Sequence, residues 1–225
     1  EATAREGIAL LGEQGGYIDV PEFVPGSQYR PYSSQLDFFG QPVVYWMYVS
    51  GNNLLREQVP SESMMEEQLA DYISERVSEC RFEEFELMGY DVLVNKDDVA
   101  VDVEISDLSV SVDVDNQVLL YFEDESAVVN SHSLDVDSKL GKFYELALDV
   151  YNYEKSSMFL EKYGLDVMRL YAPVDGAEIS CAPKIFVDEE IERDLVDGLT
   201  ANIGMLKLKG SYYDLASQES EYFVT

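Results

Sequence analysis

The sequence predicts an α+β fold, an antiparallel β-meander packed by amphipathic helices with a C-terminal strand-helix portion, and three observations lead there. Between Asp98 and Asp115, Val99, Val101, Val103 and Ile105 alternate with Ala100, Asp102 and Glu104. Val110, Val112 and Val114 then alternate with Ser111, Asp113 and Asp115. Successive strand side chains point to opposite faces, so this period of two gives one apolar face and one lined by carboxylates. Ser106 to Ser109 between the runs is a polar link of hairpin length. Apolar residues also recur at three and four over Met65, Leu69, Tyr72, Ile73, Val77 and Cys80, and again over Leu140, Phe143, Tyr144, Ala147 and Tyr151, the spacing of helices with one buried stripe. Finally, 225 residues, 46% of them hydrophobic, can bury a core of one large or two small domains. The expected division is residues 1–163, with the meander at about 90–138, and a portion 164–225 that continues this domain or forms a second lobe.

In chain order, Thr3 to Leu11 reads as a short helix stopped at Gly12 and the Gly15-Gly16 pair. Tyr17 to Val20 follows as a short strand. Four prolines between Pro21 and Pro42 predict an irregular segment whose Tyr29, Tyr32, Phe38 and Phe39 pack down. Val43 to Val49 is a β-prone run closed by a turn at Ser50 to Asn53. Ser63 and Glu66 have capping-box spacing for the helix after Pro60, and Gly89 ends the helical pattern after Phe82 and Phe85. Tyr90 to Val94 starts the sheet. Val118 to Phe122 and a strand near Ser133 to Val136 complete it, and the short links favour antiparallel pairing. The helix from Leu140 extends through Phe159 and Leu160 to Gly164 and, following the meander directly, should cover its apolar face. Val167 to Tyr171 and Ile179 to Phe186 are strand candidates. A helix from Asp188 carries Ile191, Leu195, Leu199, Ile203 and Leu206 on one stripe, with Lys207 and Lys209 at its negative end.

Charge is the strongest compositional signal, at 45 acids against 15 bases for a net of -30. Like charges at this density repel across the surface when the Debye length is about 8 Å, and are largely screened when molar salt shortens it to about 3 Å. Adaptation to high salt is the preferred reading, beside that of an ordinary acidic protein. No basic patch is available to release phosphate counterions, so direct nucleic-acid or anionic-membrane binding is not expected. No apolar run approaches a membrane span.

Catalytic and metal signatures are not found. His132 is the single histidine, in the polar stretch Asn130 to Ser133, and reads as an exposed structural residue. A multi-histidine zinc site is therefore excluded. There is no G-x-S-x-G elbow and no phosphate-binding glycine loop. Asp102, Glu104, Asp113 and Asp115 share a strand face, which suits a solvated sheet surface better than the two opposed acids of a glycosidase. Asp113-Val114-Asp115-Asn116 and Asp135-Val136-Asp137 resemble the start of a calcium loop but lack its central glycine and distal glutamate. No metal or cofactor is expected. Tyr45, Trp46 and Tyr48, with Tyr29 and Tyr32 near in sequence, are candidates for a carbohydrate or protein contact surface. Alternation sets Tyr45 and Met47 against Trp46 and Tyr48, so one set is core. Cys80 and Cys181 either pair, closing a loop of about 100 residues worth roughly 4 to 5 kcal/mol in the loop-entropy model, remain thiols, or pair with cysteines elsewhere.

Several stretches together carry a resemblance. Leu11-Gly12-Glu13-Gln14-Gly15-Gly16-Tyr17-Ile18 comes first, followed by Tyr45-Trp46-Met47-Tyr48 and Lys139-Leu140-Gly141-Lys142-Phe143-Tyr144. Leu170 to Gly176, Ile179 to Ile185 and Lys207 to Tyr213 complete the set. The chain resembles a family of archaeal proteins with an N-terminal membrane anchor and an extracytoplasmic domain of unestablished function. The resemblance implies a cell-surface location, an anchor upstream of Glu1 and a disulfide. Longer members with cysteines before the first helix and beyond the last segment leave open which cysteines pair. The expected role is a non-catalytic contact domain for surface proteins or envelope material, with a carboxylate-based glycan hydrolase and a small-ligand sensor as alternatives.

Overall fold

The structure, a computed structural model, describes residues 1–26, 33–77, 82–94, 99–123 and 125–162, single positions between 187 and 197, and 205–208 and 211–214. The fold is α+β, as expected. Two compact units divide the chain, Glu1–Tyr144 and Glu145–Glu221.

α1 (Ala2–Glu13) buries Ala4, Gly7, Ile8 and Leu11. It passes the expected stop at Gly12 and ends where the Gln14 N–H donates to the Leu10 carbonyl at 2.9 Å. Gly15 and Gly16 follow at φ +76° and +92°, and a Cβ on Gly15 would lie 2.8 Å from the Val44 carbonyl oxygen. Left-handed backbone and this close approach both call for glycine. The expected strand over Tyr17 to Val20 does not form. The N–H groups of Ile18 and Asp19 both donate to Gln68 Oε1, at 2.8 and 2.9 Å, so one side chain takes the donors a ladder would use.

The proline-rich segment holds a hairpin the sequence hid: β1 (Gln35–Phe38) pairs antiparallel with β2 (Gln41–Val44). The expected single strand over Val43 to Val49 is broken at Tyr45 and Trp46. β3 (Met47–Val49) belongs instead to a second hairpin with β4 (Leu55–Glu57). Gln58 explains the break. Its Nε2 donates to the carbonyls of Ser34 and Tyr45, at 2.9 and 2.8 Å, and its N–H donates to the Trp46 carbonyl at 2.9 Å. One glutamine thus joins both hairpins.

α2 (Glu62–Val77) buries Met65, Leu69, Tyr72 and Ile73, the stripe predicted. Its cap is Ser61 rather than Ser63, with Ser61 Oγ accepting from the Met64 N–H at 3.2 Å. Glu66 is thereby freed from the expected capping box, and its Oε1 accepts the Ile105 N–H at 2.9 Å, tying helix to sheet. α3 (Glu83–Leu87) is a short helix ended before Gly89.

The main sheet has four antiparallel strands: β5 (Asp91–Val94), β6 (Ala100–Ile105), β7 (Ser109–Phe122) and β8 (Glu125–Asp137). It departs from a simple meander because β7 is central. β8 lies along one edge of it, while β6 pairs with residues 110–115 and β5 with 118–121 on the other. The alternation works as predicted. Val103, Ile105, Val110, Val112 and Val136 are buried with α1 and α2 residues in one core cluster, while Asp102, Glu104, Asp113, Asp115, Asp135 and Asp137 are exposed.

α4 (Leu140–Ser157) is expected to cover that face; within the first unit its opening turns do so, Leu140 joining the core cluster and Tyr144 packing against it, beside the α1 and α2 residues of the same cluster. The helix breaks at Met158, whose φ is +50°. Leu206 and Lys207, expected at a helix end, lie in β9 (Met205–Leu208), paired antiparallel with β10 (Ser211–Asp214). The strand candidates Val167 to Tyr171 and Ile179 to Phe186, and both Cys80 and Cys181, fall outside the described residues. Among the described residues no helix is long and apolar enough to cross a membrane.

Candidate functional site

The three aromatic residues singled out from the sequence are half-buried and do not form a single surface. The strand break removes the alternation that would have sorted them. Trp46 donates from Nε1 to the Gly15 carbonyl at 2.8 Å, and its ring lies 6.1 Å from that of Tyr144. Tyr144 Oη donates to the Pro60 carbonyl at 2.7 Å, and Tyr17 Oη donates to that of Gln58 at 2.8 Å. Burial pushes the Tyr17 hydroxyl above the ordinary tyrosine value, and burial followed by the Glu62 charge does so at Tyr144. Both therefore stay protonated donors. Trp46 belongs to a joint that fixes the glycine turn and both hairpins, while Tyr45 is beside the Gln58 bond and Tyr48 pairs with Arg56 in β3 and β4. Tyr29 and Tyr32 lie outside the described residues.

That joint holds up a feature the sequence reading misplaced. Phe38 and Phe39, expected to pack down, sit at the tip of the β1–β2 hairpin, 57% and 95% exposed, with their rings 4.8 Å apart. Phe38 pairs with Gln41, so Phe39 and Gly40 form a two-residue loop. Their φ values are +55° and +89°. Positive φ at both central positions is the turn type that matches strand twist, and Asn-Gly is its usual sequence. A phenylalanine there is held in left-handed backbone without burial in return. The Gly40 N–H donates to Asp37 Oδ1 at 2.7 Å, closing the turn. The hairpin base is firmly seated: Val44 is buried, its N–H donates to the Gln14 carbonyl at 3.2 Å, and the Tyr45 N–H donates to the Ser34 carbonyl at 3.1 Å. Gln41 Nε2 donates to Glu13 Oε2 at 2.8 Å. Leu36, on the same strand face as Phe38, and Phe23 are also exposed. A Phe-Phe-Gly loop closing a short alternating run was the available signal, obscured by the surrounding prolines.

The acidic candidates lie elsewhere. Asp102 faces Asp113 directly across β6 and β7, Ser133 Oγ donates to Asp113 Oδ1, and Ser111 Oγ donates to Asp135 Oδ1 at 2.7 Å. Both calcium-like stretches are thus parts of ladders rather than loops, with the central Val136 buried. Among the described residues no group of three or more potential metal ligands converges. His132 is exposed on β8 opposite Val114. An apolar cleft of about 310 Å³ opens there with His132 in its lining, and among its described lining residues there is no carboxylate.

Fold and surface together define an α+β domain with a protruding aromatic tip and an anionic sheet face. No protein family, curated protein or solved structure matches this chain.

Proposed function

We propose that this chain is a non-catalytic extracytoplasmic domain that contacts surface proteins or envelope material through the β1–β2 tip, with an acidic surface suited to high salt. The observation that carries the reading is Phe39: 95% exposed and at positive φ, it costs the fold stability where asparagine or glycine would not. A rigidly seated, unburied aromatic pair offers a partner about 1.5 to 3 kcal/mol for each ring it covers. The surface location and the upstream anchor rest on the resemblance carried by Leu11 to Ile18 and the stretches that follow it. The hydrolase alternative needs two acids across a cleft, whereas Asp102, Glu104, Asp113 and Asp115 stand exposed on the open sheet face.

A photo-crosslinking phenylalanine analogue placed at position 39 of the full-length protein in its own cells tests this reading. The control is the same analogue at Leu108, also exposed at 56% but on the β6–β7 turn. The proposal expects a discrete adduct from position 39 that position 108 does not give; equal or absent adducts at the two would overturn it.

A further inference from the structure

The apolar cleft sits where the sheet ladder is interrupted. Asp115 pairs with Ser131 and Val118 with Val129, so Asn116 and Gln117 together oppose Asn130 in a bulge on β7. The partner strand on the other edge changes at the same place, from β6 to β5. α2 covers the sheet on the β6 side, where Val103, Ile105, Val110 and Val112 join the core cluster, and its last residue, Val77, reaches the cleft. Beyond the bulge Val118, Leu120 and Val129 are outside that cluster, and Phe82 and Phe85 provide the opposite wall. Phe85, Tyr90 and Phe122 brace this wall with ring separations of 6.4 and 4.8 Å.

Of the two polar side chains among the described lining residues, His132 is exposed and Asn116 is buried. Asn116 is 5% exposed and its Oδ1 has no hydrogen-bond partner. A buried carbonyl oxygen without a donor is a group that native structures rarely leave. We propose that the cleft binds a neutral apolar molecule bearing one N–H or O–H donor, an indole- or naphthol-like compound, which fills the cavity and donates to Asn116 Oδ1. The size follows from the volume, since a cavity of roughly 150 Å³ holds one benzene and this one is about 310 Å³. The neutrality follows from the described lining residues, among which there is no lysine or arginine and the one titratable side chain is that of the exposed His132. An anion entering it would lose its hydration without a fixed countercharge. The site is separate from the hairpin tip, and neither reading depends on the other.

The test is calorimetric titration of the full chain with 2-naphthol, naphthalene and 2-naphthoate. The expected order is 2-naphthol tightest, naphthalene weaker by up to about tenfold for the one hydrogen bond it cannot make, and 2-naphthoate weakest. Asn116→Leu, which keeps the bulk and removes the oxygen, should bring 2-naphthol and naphthalene to equal affinity. Equal affinities on the unaltered protein, tightest binding by 2-naphthoate, or no binding by any of the three would overturn the proposal. The series on the unaltered protein decides it even if the variant fails to fold.

Discussion

Replacing Phe39 by asparagine removes a bulky side chain from left-handed backbone at a position where it covers little of the protein. For L-residues that conformation costs roughly 1 to 2 kcal/mol, and asparagine largely escapes the cost through local hydrogen bonding. The loss to set against this gain is the edge contact with the Phe38 ring at 4.8 Å. An aromatic pair contributes about 0.5 to 1.5 kcal/mol beyond its buried area, and the low end applies when one ring is 95% exposed. Phe39→Asn should therefore stabilise the protein by about 0.5 to 1 kcal/mol. Phe39→Gly should gain less, because glycine surrenders about 0.5 to 1 kcal/mol of backbone freedom on folding. Urea unfolding measures both as a raised midpoint at unchanged slope. A clear destabilisation by Phe39→Asn would refute the reasoning, since it would mean that the ring supports the fold and is not held ready for a partner.

Three further outcomes follow from contacts elsewhere. Glu66→Ala leaves the buried Ile105 N–H without its acceptor and should cost about 1 to 3 kcal/mol in urea unfolding, while Glu66→Gln keeps an acceptor and should cost less than half as much. Burial and then the hydrogen bond with Glu161 raise Glu154 above the ordinary carboxylate value, and the same hydrogen bond lowers Glu161. Glu154 therefore favours folding below its ordinary value and loses that contribution as pH rises through its raised one, while Glu161 loses its contribution as pH falls through its lowered one. Glu154→Gln should gain at most about 0.5 kcal/mol near pH 7 and less near pH 4, read from thermal melts at the two values. Asp102 opposite Asp113 places like charges about 5 Å apart, a repulsion of about 0.8 kcal/mol in water that molar salt cuts to about a fifth. Asp102→Asn should accordingly raise the melting midpoint at low salt and leave it nearly unchanged in 2 M KCl, while the unaltered chain melts higher as KCl rises.

What could be read from the sequence was decided by period, and what could not was decided by single polar side chains. The valine alternation fixes register and face without outside help, because a slip of one residue would turn every carboxylate into the core. α2 follows for the same reason at its own period. Tyr45 and Trp46 read as strand interior by propensity, but Gln58, 12 to 13 positions later, intercepts their carbonyls. No local rule foresees that. Ser61 and Ser63 both suit a cap, and the choice between them was settled by Glu66, which reaches the sheet instead of its own helix. Asn116 was readable in principle. It falls at an apolar phase of β7, between Val114 and Val118, and the adjacent polar Gln117 gives the two-residue interruption expected of a bulge. Leu206 fits a helical stripe and an alternating strand equally, and pairing with Tyr213 settles it.

The most direct measurement of the contact role is co-sedimentation of the purified chain with cell-envelope material in 2 M KCl, comparing the unaltered protein with the Phe38→Ser, Phe39→Asn double variant. The unaltered chain should pellet with the envelope and the double variant should stay in solution while melting at the same temperature or higher. Equal pelleting of the two would contradict the assignment of contact to the hairpin tip.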